Sequence, residues 1–201
     1  MVSAKKKEAR RQFFHILFGV GLVSLILNNI IGAREIFFLG LLSWVLSLLS
    51  LEFKVPVVEF FLRNMERSED IKVFPGKGFI FFLSGIFFAL KLFDKNIALA
   101  AIIIMVLGDS VSNLTGRVIR KSFYKIQGKN IEGLLIGFLA GGIGASFFVS
   151  PFFGFTAAFF GMMIEGYGIR IGERKIDDNF FIPLVSGGVL YLLETGFRVF
   201  L

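Results

Sequence analysis

Several acidic residues of the chain are placed where they could together bind a cation. Asp177 and Asp178 precede the last long apolar run, and Glu165 lies near the end of the run before it. Hard cations such as Mg²⁺ prefer carboxylate oxygens, which predicts a magnesium site here. The segment 177–179 could instead cap the helix that follows, because Asp and Asn are both favoured at that position.

A second polar group interrupts another apolar run at helical spacing. Its members are at positions i, i+3, i+4 and i+7, on one face of a predicted helix: Asp109, Ser112, Asn113 and Gly116. A carboxylate inside such a run costs about 2.5–3.5 kcal/mol at mid-membrane, so Asp109 is a candidate functional residue. The alternative is a structural hydrogen bond or salt bridge.

Basic residues flank both groups. The segment from Arg117 to Lys129 carries five cations and runs into Glu132, an arrangement that could hold a triphosphate. Its charge could equally serve only to orient the chain in a membrane. Near the N-terminus, Glu8, Arg11 and His15 share one helix face, either as an interfacial anchor or as part of the same site.

The composition excludes several kinds of chemistry. The chain has no Cys, so disulfides, thiolate metal sites and a Cys nucleophile are excluded. A single His, His15, cannot form a multi-histidine zinc site. No segment has the G-x-x-x-x-G-K-[ST] pattern of a phosphate-binding Walker loop.

The elements that must position these groups are predicted to be membrane helices. Of the 201 residues, 55% are hydrophobic, and mean hydropathy is +0.78. A soluble domain of this size could not bury so many apolar side chains, so part of the apolar surface must face lipid. We expect residues 1–201 to form one all-α polytopic integral membrane helix bundle with about seven transmembrane helices. The predicted spans are 12–31, 36–53, 75–93, 97–114, 131–149, 151–168 and 180–198.

Smaller features refine this arrangement. Ser150-Pro151 predicts the break between the fifth and sixth spans. Gly133, Gly137 and Gly141 predict a face that packs closely on a neighbouring helix. The segment 55–69 mixes apolar and charged residues and predicts an amphipathic helix in the membrane interface.

The distribution of basic residues predicts the orientation of the bundle. The N-terminus and the loops on its side carry 18 of the 22 Lys and Arg residues. We therefore expect a multi-pass protein of the cell membrane, with its N-terminus cytoplasmic and its C-terminus outside. All the polar groups above then face the cytoplasm. This segregation accounts for the net charge of +7 without a nucleic-acid partner.

In five segments the chain resembles the membrane lipid-alcohol kinases, the family of phytol kinase, dolichol kinase and CTP-dependent diacylglycerol kinase. The matching residues, in chain order, are Glu8, Arg11 and His15; Arg63, Glu66 and Gly78; Gly108-Asp109 with Gly116-Arg117; Lys129, Glu132 and Gly133; and Asp177-Asp178-Asn179 with Pro183. The chain departs from the family pattern at Gln12, Ser112 and Asn130, and at Arg120, where Gly is frequent.

The resemblance implies Mg²⁺-dependent transfer of a phosphoryl group from a nucleoside triphosphate, usually CTP, to the hydroxyl of a lipid alcohol in the bilayer. Asp109, Asp178 and His15 would be catalytic, and Asp109, Asp177 and Asp178 would hold the metal or, in one case, take the hydroxyl proton. The residues expected at the nucleotide are Arg11, Arg117, Lys129, Glu132 and Gly116. Those expected to support the site are Glu8, Asn113, Glu165 and Asn179.

Two other functions remain open from the sequence. A cytidylyltransferase that makes a CDP-lipid from CTP and a lipid phosphate needs the same metal and cations. A small membrane transporter ranks below both enzymes, because transporters carry ionisable groups near mid-membrane and often internal repeats.

Overall fold

The apolar runs fold into helices, which satisfy their own backbone hydrogen bonds and are therefore stable in an apolar environment. The computed structural model describes residues 4–53, 56–65, 71, 74–119, 124–171, 174–175 and 177–199. The helices are α1 (Ala4–Leu27), α2 (Ala33–Glu52), α3 (Pro56–Met65), α4 (Lys77–Leu92), α5 (Lys95–Ile103), α6 (Ser110–Val118), α7 (Ile131–Ala145), α8 (Pro151–Tyr167) and α9 (Asp178–Val199). A π-helical segment (Ile104–Asp109) joins α5 to α6.

The predicted all-α fold is confirmed, and each of the seven predicted spans overlaps a helix. Within the described residues, three helices are long and apolar enough to cross a membrane: Lys6–Leu27, Ala33–Glu52 and Lys95–Val118. The predicted break at Ser150-Pro151 is also confirmed. Ser150 is the N-cap of α8, and its side chain accepts a hydrogen bond from the backbone N–H of Phe153.

The continuous helix Lys95–Val118 forms the centre of the structure. Every residue from Ile97 to Val106 is buried, so the other helices pack around this apolar axis. The π-helical segment ends at Asp109, at the point where the helix becomes polar. Such one-turn π segments occur frequently at functional sites.

The glycine face of α7 packs directly on this central helix, as predicted. A Cβ added to Gly133 would lie 2.8 Å from the carbonyl oxygen of Ser112, and one added to Gly137 would lie 2.8 Å from the Ser112 Cβ. Because these close approaches involve the α6 backbone and its Cβ, they fix the distance between the two helices. The start of α7 is thereby held beside Asp109.

Two short hairpins interrupt the helical fold where the sequence predicted only loops. Strand β1 (Lys125–Ile126) pairs antiparallel with β2 (Lys129–Asn130), and β3 (Arg170–Ile171) pairs with β4 (Arg174–Lys175). In the first hairpin, Gln127 and Gly128 both have positive φ, the conformation of a type I′ turn. The Asn130 amide then donates to the Gly116 carbonyl at 2.6 Å, so the hairpin is fixed to the end of α6.

The predicted amphipathic segment is helical as α3, and the Phe61 ring packs edge-on against Phe14 of α1 at 5.6 Å. Some residues of the family pattern lie outside the described part of the chain. These are Glu66, Arg120 and the side chain of Arg63.

Candidate functional site

Three carboxylates from three different elements meet in the interior. Asp109 ends the π-helical segment, Glu165 lies in the last turns of α8, and Asp178 is the first residue of α9. One oxygen of each lies within 4.8 Å of the others. Asp109 is 7% exposed and Glu165 is fully buried. We call Asp109, Glu165 and Asp178 the acidic cluster; carboxylates this close are stable together only with a cation or a shared proton.

Local structure at the start of α9 separates the roles of its two aspartates. The Asp177 Oδ1 accepts a hydrogen bond from the Asn179 backbone N–H at 3.1 Å, which is the geometry of a helix cap. Asp178, one residue further, belongs to the acidic cluster. Asp109, Glu165 and Asp178 are therefore the carboxylates that could hold a metal ion together, while Asp177, also predicted as a metal ligand, makes the contact expected of a helix cap.

Lys129 lies against the acidic cluster. Its ammonium is paired with Glu165 and lies 3.2 Å from Asp178 Oδ2. Burial lowers the pKa of Lys129, but the carboxylates of Glu165, Asp109 and Asp178 outweigh this effect and hold the pKa above its usual value. Lys129 is therefore a cation at neutral pH, and its one positive charge faces three carboxyl groups.

Asn113, predicted as a supporting residue, is hydrogen-bonded to Asp109. Its amide donates to Asp109 Oδ1 at 2.7 Å and to the Asp109 carbonyl at 2.9 Å. The same amide lies 3.5 Å from Glu165 Oε1. The helical spacing of Asp109 and Asn113 thus becomes a direct hydrogen bond.

Glu8 pairs with Arg11 of its own helix and connects α1 to α6 through Arg117. Its Oε1 is 2.5 Å from the Arg11 guanidinium and 2.9 Å from the Gln12 amide nitrogen, and its Oε2 is 3.2 Å from Arg117. The Glu8 side chain is only 8% exposed. A buried carboxylate with this many donors holds both guanidinium groups in fixed positions.

Two buried polar atoms on α1 have no hydrogen-bond partner among the described residues. They are Gln12 Oε1 and His15 Nε2, and both atoms are buried. The Glu8 carboxylate requires a donor, so the Gln12 amide nitrogen faces Glu8 and its oxygen is the atom left without one. The sequence indicated Gln12 only as a missing cation; the signal for its role is its position four residues after Glu8.

One cavity of about 540 Å³ joins these groups to an apolar region. Its polar wall includes Arg11, His15, Asp109, Lys129, Asp178 and Asn179. Its apolar wall includes Phe14, Phe18, Leu42, Val58, Phe61 and Phe79, from α1 to α4. The cavity therefore fits an amphiphile whose polar end lies at the acidic cluster.

Three residues predicted to bind nucleotide do not line this cavity. Gly116 accepts the hydrogen bond from Asn130, and Arg117 is paired with Glu8. Glu132 lies in the first turn of α7. The structure thus brings Arg11 and Lys129 to the cavity wall, together with the predicted supporting residue Asn179, and leaves Gly116, Arg117 and Glu132 beside it.

Comparison with known proteins gives one relative of nearly the same length. The chain is similar to the uncharacterized protein MJ1137 of Methanocaldococcus jannaschii, with 29% identity over 190 residues, which cover 92% of this chain and 93% of that protein. No protein-family model matches the chain. No solved structure matches it either.

Proposed function

We propose that this protein is a membrane kinase that transfers the γ-phosphoryl group of a nucleoside triphosphate, CTP in the first instance, to the hydroxyl of a lipid alcohol. The observation that carries the proposal is a cavity whose wall joins Asp109 and Asp178 of the acidic cluster, together with Lys129, to an apolar region. A lipid alcohol needs this combination, because its reactive end is polar and its remainder is not. The resemblance to the lipid-alcohol kinases supports the same reaction.

The proposal includes a location. Three helices long and apolar enough to cross a membrane support a location in the membrane. Many large apolar side chains outside the core are also exposed, including Phe13, Phe38, Trp44 and Phe152. We propose seven spans with the N-terminus cytoplasmic, so that the cavity receives lipid from the bilayer and nucleotide from the cytoplasm.

The acidic cluster fits Mg²⁺. Its three carboxylates supply the oxygen ligands that the ion prefers, and no described N–H or O–H group donates to the buried Glu165 Oε2. Asp109, Glu165 and Asp178 would hold the ion, which when bound neutralises charge on the phosphates of the nucleotide.

The protein's own contribution is positioning and charge. Arg11, fixed by Glu8, lies at the cavity wall where its guanidinium can bind phosphate oxygens. Gln12 Oε1 is an acceptor without a described donor and suits the hydrogen of a lipid hydroxyl, and His15 Nε2 can accept the same hydrogen in the tautomer that carries its proton on Nδ1. In the transfer, the hydroxyl oxygen bonds to the γ-phosphorus as the bond to the β-phosphate breaks. The hydroxyl proton leaves to a base of the cavity, Asp109 or His15.

The aromatic residues of α1 continue the site toward the lipid chain. Phe14 and Phe18 are stacked at 5.5 Å and share the cavity wall with Phe79 and Phe82. On α1 the polar lining residues thus give way, within two turns, to apolar ones. In the proposed complex, the lipid hydroxyl lies near His15 and the lipid chain lies beside the phenylalanines.

Product analysis tests the proposal against the cytidylyltransferase. Purified protein with Mg²⁺, labelled CTP or ATP and a panel of lipid alcohols and lipid phosphates should give nucleoside diphosphate and a lipid phosphate. Release of pyrophosphate with a CDP-lipid would establish the cytidylyltransferase instead. Asp109→Asn should abolish turnover, and the matched control is Asp94→Asn, at an exposed aspartate that precedes α5.

A further inference from the structure

The acidic cluster already contains a cation that belongs to the chain. The ammonium of Lys129 bonds two of the three carboxylates, Glu165 and Asp178, and the lysine side chain is only 24% exposed. We infer that Lys129 is the resident counter-ion of the acidic cluster, that it excludes free divalent cations, and that the metal enters only as a complex with nucleotide phosphates. The role of the nucleotide rests on the proposed function; the exclusion of free metal does not.

Geometry makes Lys129 and a metal ion competitors. The three ligand oxygens lie within 4.8 Å of one another, and the ammonium is in contact with oxygens of two of these carboxylates. A metal bound by all three carboxylates would therefore lie next to the Lys129 ammonium, which already contacts two of them. A divalent ion next to an ammonium in a buried site is also repelled by it, because the low polarity of the interior screens the charges poorly.

The cluster nevertheless retains the capacity to bind a second cation. Three carboxyl groups face one ammonium, and the buried Glu165 Oε2 receives no hydrogen bond from any described residue. Asp109 is held by the neutral amide of Asn113, which supplies hydrogen bonds but no charge. Negative charge therefore remains in excess at the site, which draws a metal in once the ammonium has moved.

Lys129 is placed so that it can move without disturbing the fold. It lies in β2, directly before α7, and the hairpin backbone is fixed by Asn130, whose amide donates to the carbonyls of Gly116 and Ile119. A lysine side chain is a compact charge on a flexible stem of four carbons. The ammonium can therefore leave the carboxylates for a triphosphate while its backbone stays in place. This exchange reconciles the contacts seen here with the predicted role of Lys129 at the nucleotide.

The inference can be tested without nucleotide or lipid by titrating the purified protein with Mn²⁺. The electron paramagnetic resonance signal of the free ion measures how much Mn²⁺ is bound. Wild type should bind Mn²⁺ weakly, and Lys129→Met should bind it at least about tenfold more tightly. Coulomb repulsion between a single and a double positive charge about 4 Å apart accounts for a factor of this size even in water. Lys129→Arg keeps the charge and should remain weak. Lys125→Met, in the same hairpin but exposed, is the matched control and should equal wild type.

Each result decides the inference. Tight binding by wild type, or equal affinity of wild type and Lys129→Met, would overturn it. Adding Glu165→Gln to Lys129→Met should remove the gained affinity, and its persistence would place the metal elsewhere. If Lys129→Met does not fold, wild type alone still tests the inference. Its affinity for Mn²⁺ in the presence of inorganic triphosphate must then exceed the value calculated from the separately measured affinities of the protein for Mn²⁺ and for triphosphate. Since the first assay contains no substrate, failure of the kinase assay would refute the proposed function and leave this result standing.

Discussion

The contact between α6 and α7 supplies the most quantitative prediction, through the substitution Gly133→Ala. The added Cβ would lie 2.8 Å from the Ser112 carbonyl oxygen and 3.1 Å from the Gly116 nitrogen. Both are backbone atoms, so no side-chain rotation relieves the overlap and the helices must move apart. Overpacking of this kind costs about 1–3 kcal/mol. The Lys129 hairpin precedes α7, so the same shift moves Lys129 away from the acidic cluster.

Gly188→Ala is the matched control for that substitution. Gly188 lies in α9, and its added Cβ would meet no atom within 4 Å. Both variants gain the same helix propensity, up to about 1 kcal/mol, so their difference isolates the packing cost. We expect Gly133→Ala to be about 1–3 kcal/mol less stable than Gly188→Ala in detergent unfolding, and to lose activity that Gly188→Ala keeps. Equal stability of the two variants would refute the close contact.

Three further predictions concern the site and the topology. Asp109→Asn should abolish turnover while the protein stays folded in the membrane fraction, because a buried amide costs less than a buried charge; near-normal turnover would make Asp109 structural. Asp178→Asn should raise the Mg²⁺ concentration required for half-maximal rate. Asp177→Asn should change that concentration much less, because Asn caps a helix nearly as well as Asp. Indistinguishable Mg²⁺ titrations of the two variants would remove Asp178 from the metal site. Protease accessibility of terminal tags should place the N-terminus inside and the C-terminus outside, and termini on the same side would show an even number of spans.

The helices could be predicted from the sequence because their signals are local. An apolar run of sufficient length fixes a helix, and Ser150-Pro151 marks a break whatever the rest of the chain does. The glycine spacing in α7 likewise predicts a close contact, although it does not identify the partner helix. The number of spans and their orientation stay predictions, since they depend on a bilayer.

The acidic cluster was only partly predictable, because its composition depends on the direction of side chains from separate helices. Asp109 could be recognised in the sequence as a carboxylate in an apolar run, and it lies in the acidic cluster. Asp177 and Asp178 are adjacent, and only the start of α9 shows that the first caps the helix while the second faces Glu165. The place of Lys129 in the cluster depends on the type I′ turn at Gln127-Gly128, which pairs β2 with β1.

The central claim is the transfer of a terminal phosphoryl group to a lipid alcohol in the cavity. Its most direct test is a reaction of the purified protein with Mg²⁺, one lipid alcohol and CTP labelled separately at the α- or γ-phosphate. The proposed kinase predicts that γ-label appears in the extracted lipid and that α-label remains in water-soluble CDP. Label from the α-phosphate in the lipid, or no lipid label from either CTP or ATP across the panel of alcohols, would contradict it.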